Sequence, residues 1–282
     1  MITLGARYVP CMKYTPANWN DLSCPAGVKV RPSPNETCTL ADICKSSSNT
    51  NPDQGWRFLA PTFLHSGVVH FVVNGFFQLR VATVFEKEIG ALKTAIVFFV
   101  SSVGGYIFGG AFSVSANDTP SVGSSGGLFG IIACLTTDIF ANWNLLKNPR
   151  WEASKTLLNI VVAFVMGWLP GVDNFSHIGG YIVGLILAPI IMTNSYISKE
   201  DRQRKKILQY LSLPLLVLFF AMCLYGFYKF EVNCPACQYL NCVPGLPWYV
   251  KHNVKIGVSK KEWILDKIYF LPIILKEFFD FE

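Results

Sequence analysis

Six apolar windows, near residues 60–79, 94–112, 124–142, 156–171, 177–193 and 207–228, decide most of what this chain can fold into. A stretch of about 17–25 apolar residues crosses a bilayer as a helix, because lipid offers no partner for an open backbone N–H or C=O. The fourth and fifth windows are short and are parted by Pro170 and Gly171. With 51% hydrophobic and 15% charged residues among 282, and a mean hydropathy of +0.37, no large soluble domain fits beside them. The expected fold is all-α, a polytopic membrane helix bundle of about six transmembrane helices.

Basic residues orient such a bundle. Arg80, Lys87 and Lys93 lie between the first and second windows, and Lys147, Arg150 and Lys155 between the third and fourth. Lys199, Arg202, Arg204, Lys205 and Lys206 follow the fifth. These alternate loops share one side, which the positive-inside rule makes cytosolic. The net charge of +6 is therefore a topology signal, and no nucleic-acid partner is expected.

The other side takes the N-terminal region, the 113–123 and 172–176 loops and the C-terminal tail. The sequons at Asn35 and Asn117 fall there and are glycosylation candidates, whereas Asn174-Phe175-Ser176 lies too close to the membrane to serve. Cys11, Cys24, Cys38, Cys44, Cys234, Cys237 and Cys242 fall there too, leaving Cys134 and Cys223 in spans. Disulfides in an oxidising compartment are the natural reading. The odd count leaves a thiol free or paired elsewhere, and connectivity is not fixed by the sequence. Cys234, Cys237, Cys242 and His252 form an alternative zinc set, which the lumenal side disfavours against disulfides.

The expected organisation is a cysteine-containing lumenal region (1–57), a catalytic membrane core (58–195) and a basic cytosolic loop (196–206). An additional C-terminal span (207–228) and a cysteine-containing lumenal tail (229–282) follow. No secretory signal precedes the lumenal start, so either the first span is a reverse anchor or a preceding span is missing from this chain. The apolar stretch from Trp263 to Phe281, broken by Pro272, reads as a segment lying along the membrane surface; it is nearly long enough to span but is not counted as a span.

The chemistry centres on Pro120 to Gly130, P-S-V-G-S-S-G-G-L-F-G, where a loop gives way to an apolar segment. Ser125 stands there between small residues, and His177, in D-N-F-S-H-I-G-G, opens the fifth window. His70 and Asn74 share one face of the first span, where polar groups are costly and face a protein interior or a watered cavity. Inter-helix hydrogen bonding alone would also account for them. The first, third and fifth spans run in the same direction, which places His70, Ser125 and His177 at one depth on the lumenal side. Glycines at four-residue spacing, Gly126 with Gly130 and Gly180 with Gly184, let those helices approach and bring Ser125 to His177.

A serine attacks a carbonyl when a base takes its proton, and the developing oxyanion needs fixed donors. The assignment is Ser125 as nucleophile and His177 as base, with the Ser125 N–H and the His70 and Asn74 side chains as oxyanion donors. Asp173, four residues before His177, reads as a turn former rather than a third catalytic member. Gly123 to Gly127 also fits the G-x-S-x-G elbow of α/β-hydrolases, which the hydropathy excludes.

Together, W-R…H-S-G-V-V-H-F-V-V-N, F-E-K-E-I-G, G-S-S-G-G-L-F-G and S-H-I-G-G-Y-I-V-G resemble the rhomboid intramembrane serine proteases, over roughly residues 55–190. L-G-A-R-Y-V-P-C and C-x-x-C-x-Y-L-x-C-V-P further resemble eukaryotic secretory-pathway rhomboids, of fungal type, with an added C-terminal span. The resemblance implies a Ser125–His177 dyad with oxyanion donors His70 and Asn74. It also implies that Phe129 packs on the catalytic histidine, supported by the small residues Gly123, Gly126, Gly180 and Gly184. It implies substrates that are single-pass membrane proteins, cut near the lumenal end of their helix within the bilayer, and no metal or organic cofactor. It implies a Golgi, endoplasmic reticulum or endosomal membrane. The family has a span before the cysteine-rich loop, absent here, which points to a truncated or alternative start. The competing reading is a catalytically inactive rhomboid-like or derlin-like protein that binds membrane clients. Such proteins usually lose the serine or the histidine, and both are present.

Overall fold

The first membrane helix begins at Val68, with Gly67 as its N-cap. The computed structural model describes residues 1–15, 22–23, 37–45, 52–112, 120–168, 171–192, 199–230 and 238–241. Of two short 3-10 turns, Gly55–Phe58 precedes the first apolar window and Ala60–Phe63 occupies its start, with Pro61 in its first turn. The helix starts only after Gly67, at φ +151°, so the first span is later than the 60–79 expected from hydropathy. It runs through α2 (Val68–Phe77), a π-helical turn at Gln78–Ala82 and α3 (Thr83–Ile89) as one apolar stretch of 22 residues. Arg80 and Lys87 lie within that helix rather than in a loop.

Gly90, at φ +88°, is the whole connection to α4 (Ala91–Ala111). Then come α5 (Ser125–Ala141), α6 (Pro149–Met166), α7 (Asn174–Ile191) and α8 (Lys199–Lys229). Short helices α1 (Leu40–Cys44) and α9 (Gln238–Asn241) lie outside the bundle sequence. A two-residue antiparallel pair, β1 (Leu22–Ser23) with β2 (Thr37–Cys38), is the only sheet among the described residues. The chain is thus a helical membrane bundle. Four described helices, Val68–Ile89, α4, α7 and Arg202–Lys229, have the length and apolarity to cross a membrane. Helix α5 is apolar but shorter, and α6 carries Arg150, Glu152 and Lys155 in its first turns.

Helix α7 is the centre, packed against α4, α5 and α8, and more of it is buried than of any other span. Glycine makes that possible. A Cβ at Gly180 would overlap the Gly126 carbonyl oxygen and one at Gly184 the Gly130 carbonyl oxygen, so the α5 and α7 backbones touch directly. Outermost is α8, with very little of its apolar window covered. The basic run 199–206 forms its first turns.

The N-terminal segment packs into this bundle. Val9 and Met12 are buried with Phe58, Tyr106, Ile107 and Phe227. Arg57, also buried, donates to the carbonyls of Ile2 at 2.7 Å and Ala6 at 2.8 Å and to the Gln54 side-chain carbonyl at 2.6 Å. Burial lowers the Arg57 guanidinium to about 10, which leaves it charged at neutral pH. The ammonium of Lys13 donates to the Phe227 carbonyl at the end of α8, at 2.5 Å. A disulfide joins Cys11 to Cys44. Cys24, Cys234, Cys237, Cys242 and His252, the sequon residues Asn35 and Asn117, and the stretch from Trp263 to Phe281 lie outside the described residues, as does the Cys38 side chain.

That disulfide closes a loop of 33 residues, and such closure is worth about 3–4 kcal/mol by restricting the unfolded chain. Replacing Cys11 and Cys44 with serine is expected to lower the thermal midpoint by on the order of 10 °C. An unchanged midpoint in detergent, with and without reductant, would show that the link adds no stability.

Candidate active site

Three helices bring their N-terminal ends to one place. Ser125 is the first residue of α5, His70 the third of α2 and His177 the fourth of α7. They line one cavity together with Asn74, Phe129, Leu128, Ala163 and Met166. His70, Asn74 and His177 are buried, and Ser125 is half-buried.

Ser125 Oγ lies 2.7 Å from His177 Nε2. On the ring's other side, His177 Nδ1 lies 2.9 Å from Asn174 Oδ1. The Asn174 amide group is committed to the carbonyls of Phe164, at 3.2 Å, and Leu240, at 2.8 Å, so its oxygen is the atom left facing the imidazole. A carbonyl oxygen only accepts. The proton therefore sits on Nδ1, and Nε2 presents its lone pair to the serine hydroxyl. Phe129 stacks on the imidazole, with ring centroids 4.5 Å apart and planes 16° apart, and Phe164 meets it edge-on. Ring position, tilt and tautomer are all fixed.

His70 is oriented by the same logic. Its Nδ1 faces the Ser66 hydroxyl at 2.9 Å and the Ser66 backbone N–H at 3.3 Å. A backbone N–H can only donate, so Nδ1 accepts and Nε2 carries the proton. That Nε2 lies beside Gly123, where a Cβ would come to 2.9 Å of it, and Gly123 is held at φ +131°. Asn74 keeps one amide hydrogen on the His70 carbonyl, at 3.2 Å. His65 stacks edge-on against both His70 and Phe71, and burial lowers its pKa.

The loop before Ser125 is tied on every side. Ser121 and Arg7 exchange backbone hydrogen bonds at 2.9 and 3.0 Å, Val122 N–H donates to Gly171 and Gly123 N–H donates to Pro61. The Tyr106 hydroxyl donates to the Gly123 carbonyl at 2.6 Å.

Asp173 does not face the imidazole. It is the N-cap of α7, accepting from the Phe175 N–H at 3.0 Å and the Ser176 hydroxyl at 2.7 Å, and it pairs with Arg7 at 3.2 Å. The imidazole's partner is instead Asn174, read from the sequence only as a poor sequon. Its place three residues before His177, on the same helical face, is the signal that was there to use. Ser66 stands in the same way four residues before His70.

A rhomboid-domain profile matches residues 52–194. The chain is 36% identical over 216 residues to Rhomboid-type serine protease 2 of Emericella nidulans, covering 71% of this chain and 42% of that protein. It is 36% identical over 213 residues to human Inactive rhomboid protein 1, covering 73% and 24%, and 35% identical over 194 residues to human Inactive rhomboid protein 2, covering 68% and 22%. It spans less than half the length of each of these relatives.

Proposed function

The chain belongs to the rhomboid family, and from that premise we propose that it is an intramembrane serine protease cutting single-pass membrane proteins within or beside their membrane helix. The observation that carries this reading is the 2.7 Å contact of Ser125 Oγ with an imidazole whose other nitrogen is committed to Asn174. As Ser125 Oγ attacks the scissile carbonyl, its proton passes to His177 Nε2. The oxyanion is stabilised by the Ser125 N–H, the His70 Nε2–H and the Asn74 amide. His177 then protonates the departing amine; a water that gives its proton to the same nitrogen attacks the acyl carbon, and the proton passes to Ser125 Oγ as the Oγ–C bond breaks. The cavity that holds Ser125, His70, Asn74 and His177 is otherwise lined mainly by apolar side chains, which limits water around the reacting pair.

The proposed layout puts the active site toward the lumen of a secretory-pathway membrane. The basic residues grouped about alternate connections between helices and the Cys11–Cys44 link, four residues along from the Arg7–Ser121 bridge, support that side. In this layout residues 1–57 and 229–282 are lumenal and 58–195 form the catalytic core, with Asn35 and Asn117 as glycosylation sites.

Two relatives named inactive favour a second reading, a family member that binds membrane clients without cutting them. A serine-directed fluorophosphonate separates the two. The full chain in liposomes is expected to gain one covalent adduct on Ser125, mapped by mass spectrometry, and to release fragments from a single-pass substrate. A folded chain that takes up no label, cuts nothing and still co-purifies with the single-pass protein is a client-binding protein.

A further inference from the structure

Resting on the reading of Ser125 and His177 as the reacting pair, we propose that Arg7 and Asn241 are positioning residues for it. They come from opposite ends of the chain, and both lie outside the matched rhomboid domain. Arg7 touches both halves of the pair. Its backbone exchanges two hydrogen bonds with Ser121, four residues before Ser125, and its guanidinium binds Asp173, four residues before His177. The ion pair is buried on both sides, 3% exposed each, so it feels little solvent screening.

Asn241 completes the grip on the start of α7. Its Nδ2 donates to Asp173 Oδ1 at 2.8 Å, and its Oδ1 accepts the Asn174 N–H at 2.7 Å. The neighbouring Leu240 carbonyl accepts from the Asn174 amide that aims Oδ1 at His177. The first helical turn that carries the imidazole is therefore held by an N-terminal cation and a C-terminal amide. The cation also anchors the loop that carries the nucleophile. Loosening either should let the pair drift, and about 1 Å of misplacement costs on the order of 10²-fold in rate.

The test compares Arg7→Gln, Arg7→Lys and Asn241→Ala in the full chain, reconstituted with a single-pass substrate. Arg7→Gln and Asn241→Ala are expected to lower kcat by about 10²-fold at unchanged KM, and Arg7→Lys, which keeps the ion pair, to recover most of it. A second readout is independent of cleavage. The chain has 4 histidines, so ¹⁵N-histidine spectra resolve the His177 Nδ1–H, assigned by its loss in His177→Gln. That proton's signal should broaden or vanish in Arg7→Gln and Asn241→Ala and persist in Arg7→Lys. If wild-type chain cuts nothing, the protease reading fails and the Nδ1–H signal alone decides the clamp. If Arg7→Gln does not fold, Asn241→Ala at the half-buried end of α9 carries the test. Wild-type kcat in folded Asn241→Ala, or an unaltered Nδ1–H in either variant, would overturn the proposal.

Discussion

Ser125→Ala and His177→Ala are each expected to reduce cleavage of a single-pass substrate by at least about 10³-fold, and the double variant by little more than either alone. The non-additivity follows from geometry. Ser125 Oγ and His177 Nε2 share one hydrogen bond, so neither group has a catalytic task left once the other is gone. What remains in every variant is the cavity and the proposed oxyanion donors, which leaves a common residual rate. Neither substitution should unfold the chain. Ser125 is half-buried at a helix end, where alanine is well tolerated, and His177→Ala removes one side of the Phe129 stack. The measurement is initial cleavage rate in liposomes for wild type, both single variants and the double. Losses that multiply would mean that the two residues act separately and that the dyad is wrong. Equal and complete loss with retained binding of the uncut substrate would also show how the inactive reading could arise from this fold by one substitution.

Much of the scaffold was readable from residue order, for reasons that differ by element. Apolar length is a local property, so α4, α5 and α7 fall close to their windows. The start of the first span is not, because hydropathy counts Ala60, Phe63 and Leu64 as membrane-like while the chain there forms a 3-10 turn with Pro61 in it and turns helical only after Gly67, at positive φ. The same blindness hid the first turns of α8. Lys, Glu, Arg and Gln are good helix formers, but a hydropathy window reports the run 199–206 only as polar.

At the site, spacing along a helix carries some contacts and sequence distance hides others. The glycine pairs announce a close α5–α7 approach, yet the sequence treats them alike. A Cβ at Gly126 would meet the Ser176 carbonyl oxygen at an ordinary 3.4 Å, whereas those at Gly180 and Gly184 would overlap backbone. Asp173 reads equally as an N-cap or as a histidine partner until its acceptors are seen. Arg7 and Asn241 reach it across 166 and 68 residues, and no period in the sequence encodes such a contact.

Gly180→Ala and Gly184→Ala follow from that distinction, and each is expected to lower activity steeply without removing a reacting group. The atom each methyl would strike is a carbonyl oxygen of α5, which has no side-chain torsion by which to move aside. The helices must separate instead, by on the order of 1 Å, and the overpacking costs about 1–3 kcal/mol. Separation bears on the contact of Ser125 with His177, because Gly126 and Gly130 lie within two turns of Ser125 on α5 and Gly180 and Gly184 within two turns of His177 on α7. A 2.7 Å hydrogen bond does not survive that displacement. Cleavage should therefore fall by about 10²-fold or more in chain that still folds. Gly226→Ala in α8 is the control, since a Cβ there meets nothing and alanine favours the helix. It should keep wild-type activity and melt no lower. Cleavage rates and thermal midpoints for the three variants, measured in the same detergent, decide the matter. If Gly180→Ala and Gly184→Ala cut as fast as wild type, the α5–α7 contact does not set the distance between Ser125 and His177.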